Sequence, residues 1–337
     1  MIREAISILI SGQSLTTDQA AQVMLEIMEG QATPAQLGAF LVALRLKGET
    51  VEEIVGLAKT MREKAIPVII DMPVVDTCGT GGDSSHTFNI STAAAFVAAA
   101  AGAKVAKHGN RAMSSQCGSA DVLEALGIRL DLTPFQVARC IEEVGIGFLF
   151  APVFHPAMKY AAVPRHEIGI RTVFNILGPL TNPAKAKAQV LGIADKAIAE
   201  KMALALCKLG SHCALVVHGE DGLDEVTITG KTFVWEVRET KIRSYTITPE
   251  ELGLSRASAE QLKGGTPKEN AELLREIFRG KTGAQRDIVI ANAAAALVAA
   301  SKASTFLEGA ALASKAIDNG EALTKLEHLI KFTQNLS

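Results

Sequence analysis

Two segments rich in glycine and hydroxyl residues carry the side chains best suited to chemistry. The first, Asp-Thr-Cys-Gly-Thr-Gly-Gly-Asp at residues 76–83, is followed by Phe-Asn-Ile-Ser-Thr at residues 88–92. Glycine lets the backbone approach a ligand closely, and the N–H groups at the start of a helix favour an anion. This pattern predicts an anion-binding loop that is neither a P-loop nor a dinucleotide fingerprint. The alternative is a tight turn that needs glycine only for its geometry, although a carboxylate such as Asp83 is repulsive beside a phosphate unless it binds a metal or a sugar hydroxyl.

The second segment is basic and lies in the next strand–helix unit. Residues 104–111 read Lys-Val-Ala-Lys-His-Gly-Asn-Arg, and Ser114, Ser115 and Ser119 follow before the next helix. Two cations, several hydroxyls and a helix start predict a second phosphate site. A lone basic loop is usually a solvated surface loop, but two anion-type loops in succession predict one ligand with two phosphate-bearing ends.

An acidic pair, Asp224-Glu225, follows a buried strand and the turn at residues 219–223. Ligands gather at the carboxyl ends of parallel strands, and adjacent carboxylates suit Mg²⁺, which keeps several waters and bridges to phosphate. The alternative is an exposed acidic turn, and we favour that interpretation for the neighbouring Glu220-Asp221.

The helices and strands that position these loops are predicted from the spacing of apolar residues and from the capping and turn residues between them. The first 65 residues show helical spacing only, with capping-box pairs at Thr16, Thr33 and Thr50. From residue 66 onward, strand-like and helix-like stretches alternate, which predicts an α/β fold with a mostly parallel sheet. Strands are predicted at residues 66–70, 74–78, 104–107, 147–150, 188–193 and 214–218, with an antiparallel pair in 225–245 turning at Gly230.

Composition excludes several classes of protein. Lys and Arg number 34 against 36 Asp and Glu, so the basic excess of a nucleic-acid binder is missing. The five cysteines form no C-x-x-C pair, which argues against a disulfide framework or zinc site and fits a reducing cytosol. The N-terminus has no signal-peptide pattern and the apolar runs at residues 93–101 and 291–300 are too short to span a bilayer, so we expect a cytoplasmic protein.

With these segments in view, the chain resembles the anthranilate phosphoribosyltransferases along nearly its whole length. The segments that carry the resemblance are Gly79-Thr80-Gly81-Gly82-Asp83, Thr87-Phe88-Asn89-Ile90-Ser91-Thr92, Lys107-His108-Gly109-Asn110-Arg111, Gly118-Ser119-Ala120-Asp121, Arg171-Thr172-Val173-Phe174-Asn175, Gly178-Pro179-Leu180-Thr181-Asn182-Pro183, Gly222-Leu223-Asp224-Glu225 and Gly264-Gly265-Thr266-Pro267. The resemblance implies the fold of the nucleoside phosphorylases, with a small helical domain, a larger α/β domain and an active site in the cleft between them. It also implies a homodimer joined through the helical domains. We expect the helical domain at residues 1–65, joined by part of 155–182, and the α/β domain at 66–337.

The resemblance further implies a reaction of tryptophan biosynthesis, in which the phosphoribosyl group of phosphoribosyl pyrophosphate passes to the amine of anthranilate. Donor-binding residues are expected at Gly79, Gly82, Asp83, Thr87, Asn89, Ile90, Ser91, Thr92, Lys107, His108, Gly109, Asn110, Arg111, Ala112, Met113, Ser114, Ser115 and Ser119. Mg²⁺ would be held by Ser91, Asp224 and Glu225. Anthranilate would be held by Gly79, Asn110 and Arg165, with His155-Pro156-Ala157-Met158 lining its access path.

Arg165 and the histidines leave alternatives open. From the residue alone, Arg165 is better explained by a salt link between domains, to Glu167 or another acid. The histidines form no Ser–His–Asp set, and an aryl amine is already neutral at pH 7, so a strong general base is unnecessary. We therefore assign the leaving pyrophosphate to Mg²⁺ and the first loop, and the remaining phosphate and ribose to Lys107, Ser115 and Ser119. The rival functions are a pyrimidine nucleoside phosphorylase and a non-catalytic relative that binds nucleic acid.

Overall fold

The computed structural model describes residues 1–112 and 116–336, and it begins with four helices. These are α1 (Ile2–Ile10), α2 (Thr17–Met28), α3 (Pro34–Lys47) and α4 (Val51–Lys64). The predicted capping boxes at Thr16, Thr33 and Thr50 are confirmed, because each hydroxyl accepts the backbone N–H three residues on and each partner side chain bonds back. Each capping box provides hydrogen-bond acceptors for two backbone N–H groups that the start of a helix otherwise leaves unsatisfied. The N-terminal part of the chain is therefore helical, as the spacing predicted.

Within the described residues, seven strands, numbered β1 to β7 along the chain, form one sheet in the order β3-β2-β1-β4-β5-β6-β7. Neighbours among the first five strands of the chain are parallel, and the last two strands are antiparallel, so the predicted mostly parallel sheet is confirmed. The strands are β1 (Val75–Gly79), β2 (Val105–Gly109), β3 (Ile146–Phe150), β4 (Ala188–Gly192), β5 (Cys213–Gly219), β6 (Thr232–Arg238) and β7 (Lys241–Ile247).

Helices cover both faces of this sheet. The helices that follow α4 in the described residues are α5 (Ile90–Ala100), α6 (Ser119–Ala125), α7 (Pro134–Arg139), α8 (Ala151–Phe154), α9 (Lys159–Ile168), α10 (Phe174–Leu177), α11 (Ala199–Lys208), α12 (Pro267–Phe278), α13 (Ala284–Ala299), α14 (Phe306–Asp318) and α15 (Glu321–Asn335). Alternate residues of β5 point into different cores: Leu215 packs in the core with α5 and α13, and Val216 in the core with the helical domain and α11. Across the described residues, no helix is long and apolar enough to cross a membrane.

Two details of the predicted elements are wrong. Residues 66–70 form no strand; Ile66 and Val68 each make one backbone bond, to Phe154 and Pro183, which lie in different segments. Pro67 has no N–H to give a ladder, so this stretch is a connection. The antiparallel pair exists, but its turn falls between β6 and β7 at residues 239–240 rather than at Gly230.

The strand order creates a crevice beside β1. From β1 the chain adds β2 and β3 on one side, and then returns to place β4 and β5 on the other. The connections that leave β1 and β4 therefore diverge, which is where ligands bind in open parallel sheets. Both predicted loops and the acidic pair follow strands of this parallel part of the sheet.

Candidate active site

The glycine loop after β1 is held against the acidic pair. Asp224 Oδ2 accepts a hydrogen bond of 2.6 Å from the Gly81 N–H. A Cβ added at Gly79 would lie 2.3 Å from the same oxygen, and Gly81 and Gly82 have φ of +67° and +77°. Glycine is thus required here both for close approach and for a backbone conformation that other residues rarely adopt.

The second carboxylate of the pair reaches the start of α5. Glu225 Oε1 accepts the Ser91 N–H at 3.1 Å. Burial, together with the charge of Asp83, raises the pKa of Asp224 to about 7, and burial with the charge of Asp224 also raises the pKa of Glu225. The mutual repulsion of these buried carboxylates means that a cation beside Asp224 and Glu225 would be stabilised.

No group of three or more His, Cys, Asp or Glu side chains in residues 1–112 and 116–336 is arranged to hold a metal by itself. The Asp224–Glu225 pair offers only two carboxylates. Mg²⁺ in phosphate sites is commonly bound through one or two carboxylates, waters and the phosphates themselves. The donor set therefore suits a metal that arrives with a phosphorylated ligand.

The buried Lys107 side chain lies next to Ser91, which also bonds Glu225. The Lys107 side chain is 2% exposed, and its ammonium donates to the Thr77 carbonyl and, at 3.1 Å, to Ser91 Oγ. Burial lowers the pKa of Lys107, whereas the charges of Asp76 and Glu225 raise it. The structure thus places Lys107 on the side of Ser91 and the acidic pair, although our sequence-based hypothesis assigned it to the remaining phosphate and ribose.

A buried pair, Asp76 and Asn182, fixes the ends of β1 and β2. Asp76 Oδ1 accepts the His108 N–H at 3.1 Å, and its Oδ2 accepts from Asn182 Nδ2 at 2.8 Å. Asn182 also donates to the Ala106 carbonyl at 2.8 Å. Burial raises the pKa of Asp76 to about 6. Neither residue was singled out by the sequence reasoning for this role, since no local pattern joins residues 106 positions apart.

The second loop turns some of its predicted residues toward α6. Arg111 forms a two-pronged ion pair with Glu124 at 2.5 and 2.7 Å and a further bond to Asp121 at 3.1 Å. Asp121 Oδ2 also accepts the Ala112 N–H at 3.0 Å. The Arg111 guanidinium is therefore already paired with carboxylates. Three predicted donor residues, Met113, Ser114 and Ser115, lie outside the described residues.

Asn89 joins the two loops. Its Nδ2 donates to the Cys117 carbonyl at 3.1 Å, and its Oδ1 accepts from the Cys117 thiol at 3.2 Å. Thr87, two residues earlier, forms an isolated β-bridge with Lys263. Ile90 is buried as the first residue of α5. The two predicted phosphate loops are thus brought together, as the hypothesis of one shared ligand requires.

The other predicted donor residues lie around these contacts. Thr92 is 1% exposed and its hydroxyl has no hydrogen-bond partner among the described residues. A Cβ at Gly109 would lie 3.3 Å from Ser119 Cβ, so the end of β2 packs against the start of α6. The Asn110 side chain accepts the Arg111 N–H at 2.7 Å.

Arg165, the predicted anthranilate residue, is half-buried on α9. Its guanidinium lies over the Phe174 ring, 4.9 Å from the centroid, and burial lowers its pKa. In the described part of the chain no carboxylate pairs with it, so the salt link to Glu167 is absent from this structure. Nor does a hydrogen bond among these residues connect Arg165 with Gly79 or Asn110.

Two buried histidines meet behind the second loop. The rings of His108 and His155 lie 5.1 Å apart, and neither Nε2 atom has a partner among the described residues. Burial lowers the pKa of His108 to about 3 and that of His155 to about 4. Both imidazoles are therefore neutral near pH 7.

Comparison with known proteins decides the family. Residues 3–65 match the family model described as "Glycosyl transferase family, helical bundle domain", and residues 71–323 match "Glycosyl transferase family, a/b domain". A protein named anthranilate phosphoribosyltransferase from Dehalococcoides mccartyi is 58% identical over 339 residues, covering 100% of this chain and 99% of its own length. Its counterpart from Moorella thermoacetica is 56% identical, with 99% of both chains covered.

The chain belongs to the anthranilate phosphoribosyltransferase family. The anthranilate phosphoribosyltransferase of Thermus thermophilus superposes with a TM-score of 0.93 at 48% identity, covering 98% of this chain and 99% of that one. The Saccharomyces cerevisiae enzyme in complex with PRPP and Mg gives a TM-score of 0.92 at 31% identity, covering 99% and 98%.

The structure adds residues to this anthranilate phosphoribosyltransferase-type site that the sequence reasoning missed. A Cβ at Gly192, the last residue of β4, would lie 1.6 Å from the Asp224 carbonyl oxygen. Asn292 on α13 bonds both the N–H and the carbonyl of Val226, at 2.8 and 2.9 Å. Arg171 contacts Gly82 and lines a cavity of about 190 Å³ between the helical domain and the sheet. Arg171 belongs to the segment Arg171–Asn175 that carries the family resemblance, but no local pattern predicts its contact with Gly82.

Proposed function

We propose that this chain transfers the phosphoribosyl group of phosphoribosyl pyrophosphate to the amine of anthranilate, giving N-(5-phosphoribosyl)anthranilate and pyrophosphate in tryptophan biosynthesis. One observation carries the proposal: the acidic pair is joined to both the glycine loop and the start of α5. Asp224 bonds Gly81 and Glu225 bonds Ser91. A phosphate-binding loop and two hard oxygen ligands therefore lie at one place, as a metal-bound pyrophosphate needs.

The donor is assigned to the joined loops. The N–H groups of the glycine loop and of the start of α5 face an anion favourably, and Lys107 adds a buried positive charge next to Ser91. Asn89 holds the second loop beside the first through Cys117. We assign the pyrophosphate to the glycine loop, Lys107 and Ser91, and the remaining phosphate and ribose to the second loop and Ser119.

Mg²⁺ is the proposed cofactor, held by Asp224, Glu225 and Ser91. The residues present fit it, because the Asp224 and Glu225 carboxylates are crowded enough to have raised pKa values and lie next to the phosphate-type loop. When bound, the ion would neutralise the charge that develops on pyrophosphate. The yeast relative was solved in complex with PRPP and Mg.

Anthranilate is assigned to Arg165, Asn110 and the backbone at Gly79, with His155 on its access path. The Arg165 guanidinium has an aromatic ring beneath it and no carboxylate partner in the described chain, so its hydrogen-bonding edge is open to the carboxylate of a ligand. A relative from yeast was solved in complex with 4-fluoroanthranilate, which supports an aromatic carboxylate as acceptor.

The protein's task in this reaction is orientation and charge stabilisation. Departure of pyrophosphate leaves positive charge on the sugar and negative charge on the leaving group. The Lys107 ammonium is already buried beside Ser91 before the donor binds, so it needs no reorganisation there. His108 and His155 are neutral at pH 7 because burial lowers the pKa of each, and the neutral aryl amine of the acceptor needs no strong base.

The decisive assay is loss of anthranilate fluorescence on adding purified protein, phosphoribosyl pyrophosphate and Mg²⁺. We expect the loss to require all three. Cleavage of thymidine with phosphate, without that fluorescence loss, would instead indicate the nucleoside phosphorylase. Binding of single-stranded DNA without either reaction would indicate the non-catalytic relative.

We also propose the predicted domain division and assembly. Ala161 and Phe174, which lie in the segment 155–182, share an apolar cluster with the first four helices, which supports their inclusion with residues 1–65.

Ile10 and Leu46 are 74% and 83% exposed at the ends of α1 and α3, which supports a homodimer through the helical domain. All five cysteines are free thiols, in keeping with a cytoplasmic location. Light scattering of the Leu46→Glu variant tests the homodimer, and cell fractionation tests the cytoplasmic location.

A further inference from the structure

The segment Gly264-Gly265-Thr266-Pro267 packs against residues 86–89, which connect the glycine loop to α5; these residues and the glycine loop together are called the first donor loop. The Gly264 N–H donates to the His86 carbonyl at 2.9 Å, and the Phe88 N–H donates to the Leu262 carbonyl at 3.3 Å. A Cβ at Gly264 would lie 2.6 Å from both the N and Cα atoms of Phe88. The absence of a side chain at Gly264 therefore permits backbone-to-backbone contact just before Asn89, and the segment supports the first donor loop from one side.

Asn270 continues this contact from the first turn of α12. It is 2% exposed. Its Oδ1 accepts the Gly265 N–H at 2.8 Å, and its Nδ2 donates to Asn89 Oδ1 at 3.1 Å. The second bond joins residues 181 positions apart and ends on the side chain that holds the two donor loops together.

The hydrogen-bond chain has only one direction. A backbone N–H can only donate, so Gly265 requires the oxygen of Asn270 on its side. The Asn270 NH₂ group then faces Asn89, which must present its own oxygen there. The Asn89 NH₂ group is left to face the Cys117 carbonyl, as observed. The orientation of the Asn89 amide is thus set from Gly265 through Asn270 on one side and by the Cys117 carbonyl and thiol on the other.

We infer that Asn270 is a positioning residue for the phosphoribosyl donor: it orients the Asn89 amide and thereby couples the first donor loop to the second. The inference rests on the proposed function, because it assigns the joined loops to the donor. Asn270 is buried and acts through the Asn89 side chain. Because Asn89 is assigned to the donor alone, the effect should be larger on the KM for the donor than on the KM for anthranilate.

The Asn270→Asp variant separates orientation from packing. It keeps the shape and the oxygen that accepts from Gly265, but it places a carboxylate oxygen against Asn89 Oδ1. Two facing acceptors repel, and a flipped Asn89 amide would instead set its oxygen against the Cys117 carbonyl. Either way one buried bond is lost, so we expect the KM for phosphoribosyl pyrophosphate to rise about tenfold or more. Asn270→Ala removes both side-chain hydrogen bonds without setting a repulsive oxygen against Asn89, and it should give a smaller rise.

Leu274→Ala is the matched control, since Leu274 is a fully buried residue of the same helix outside the hydrogen-bond chain. It should lower the melting temperature without changing the KM for the donor. The measurements are kcat, both KM values, and the rise in melting temperature caused by phosphoribosyl pyrophosphate alone. Equal donor KM values for wild type and Asn270→Asp would overturn the inference while leaving the proposed function intact. Equal increases in the donor and anthranilate KM would also overturn it, because they would show a general structural role. Failure of the wild-type protein to consume both substrates would refute the proposed function itself.

Discussion

Replacing Gly192 by alanine tests how the acidic pair is held in place. Gly192 ends β4, beside Gly79 of β1 in the sheet. An added Cβ would lie 1.6 Å from the carbonyl oxygen and 2.4 Å from the carbonyl carbon of Asp224. These are backbone atoms, so no change of side-chain rotamer can relieve the overlap. The chain at Asp224 must move instead.

The size of that movement follows from contact distances. Ordinary contact begins at 3.4 Å, so the Asp224 carbonyl must retreat by about 1.8 Å, because overlap at shorter distance is strongly repulsive. The carboxylates of Asp224 and Glu225 would then move away from the N–H groups of Gly81 and Ser91 that they bond. A misplacement of about 1 Å near a reacting centre can cost about a hundredfold in rate, so we expect Mg²⁺-dependent turnover to fall about a hundredfold or more. The strain itself should cost about 1–3 kcal/mol of folding stability.

The assay is anthranilate fluorescence at increasing Mg²⁺, with thermal unfolding measured in parallel. Gly38→Ala is the matched control, since the nearest atom to its added Cβ is Ile168 Cδ1 at 4.0 Å and the position lies inside α3. That variant should be fully active and about 0.5–1 kcal/mol more stable than wild type. A folded Gly192→Ala protein with the turnover and Mg²⁺ response of Gly38→Ala would refute the reasoning.

Three further predictions concern individual side chains. Asp224→Asn combined with Glu225→Gln should abolish Mg²⁺-dependent turnover without lowering the melting temperature measured in the absence of Mg²⁺, because it removes crowded carboxylates; retained Mg²⁺ dependence in a titration would contradict the metal role. Arg165→Ala should raise the KM for anthranilate about 10- to 100-fold, the loss of a charge-assisted hydrogen bond, with Arg165→Lys in between. A larger effect on the donor KM would mean that the two substrate sites are interchanged. Burial lowers the pKa of His155 to about 4 from an ordinary 6.5, so the stability tied to its neutral form is present above pH 6.5 and is lost as the pH falls toward 4. This loss is on the order of 1–2 kcal/mol by pH 5. His155→Asn should reduce that loss in urea unfolding at pH 7.5 and 5, and an unchanged loss would show that His155 does not titrate as described.

Local features of the fold were predictable because their causes are local. A capping box needs a hydroxyl and a Gln or Glu three residues later, so Thr16, Thr33 and Thr50 mark their helices without knowledge of the rest of the chain. Alternating strand and helix patterns predicted a mostly parallel sheet for the same reason. The error at residues 66–70 is also local in origin. β-branched residues favour a strand, but a strand needs a neighbour, and that neighbour is chosen by tertiary structure.

The sequence by itself determined the chemistry of this protein: which residues can face a phosphate, which can bind a hard cation, and that these occur in the order seen in the family. Only the tertiary structure decided how they support one another. Asp224 meets Gly81 across 143 positions, and Asn270 meets Asn89 across 181. Gly192 is needed because the backbone of another segment lies against it. The physical reason is that side-chain type and local spacing determine what a group can bond, whereas burial and the sheet's strand order determine which distant partner comes within hydrogen-bond distance.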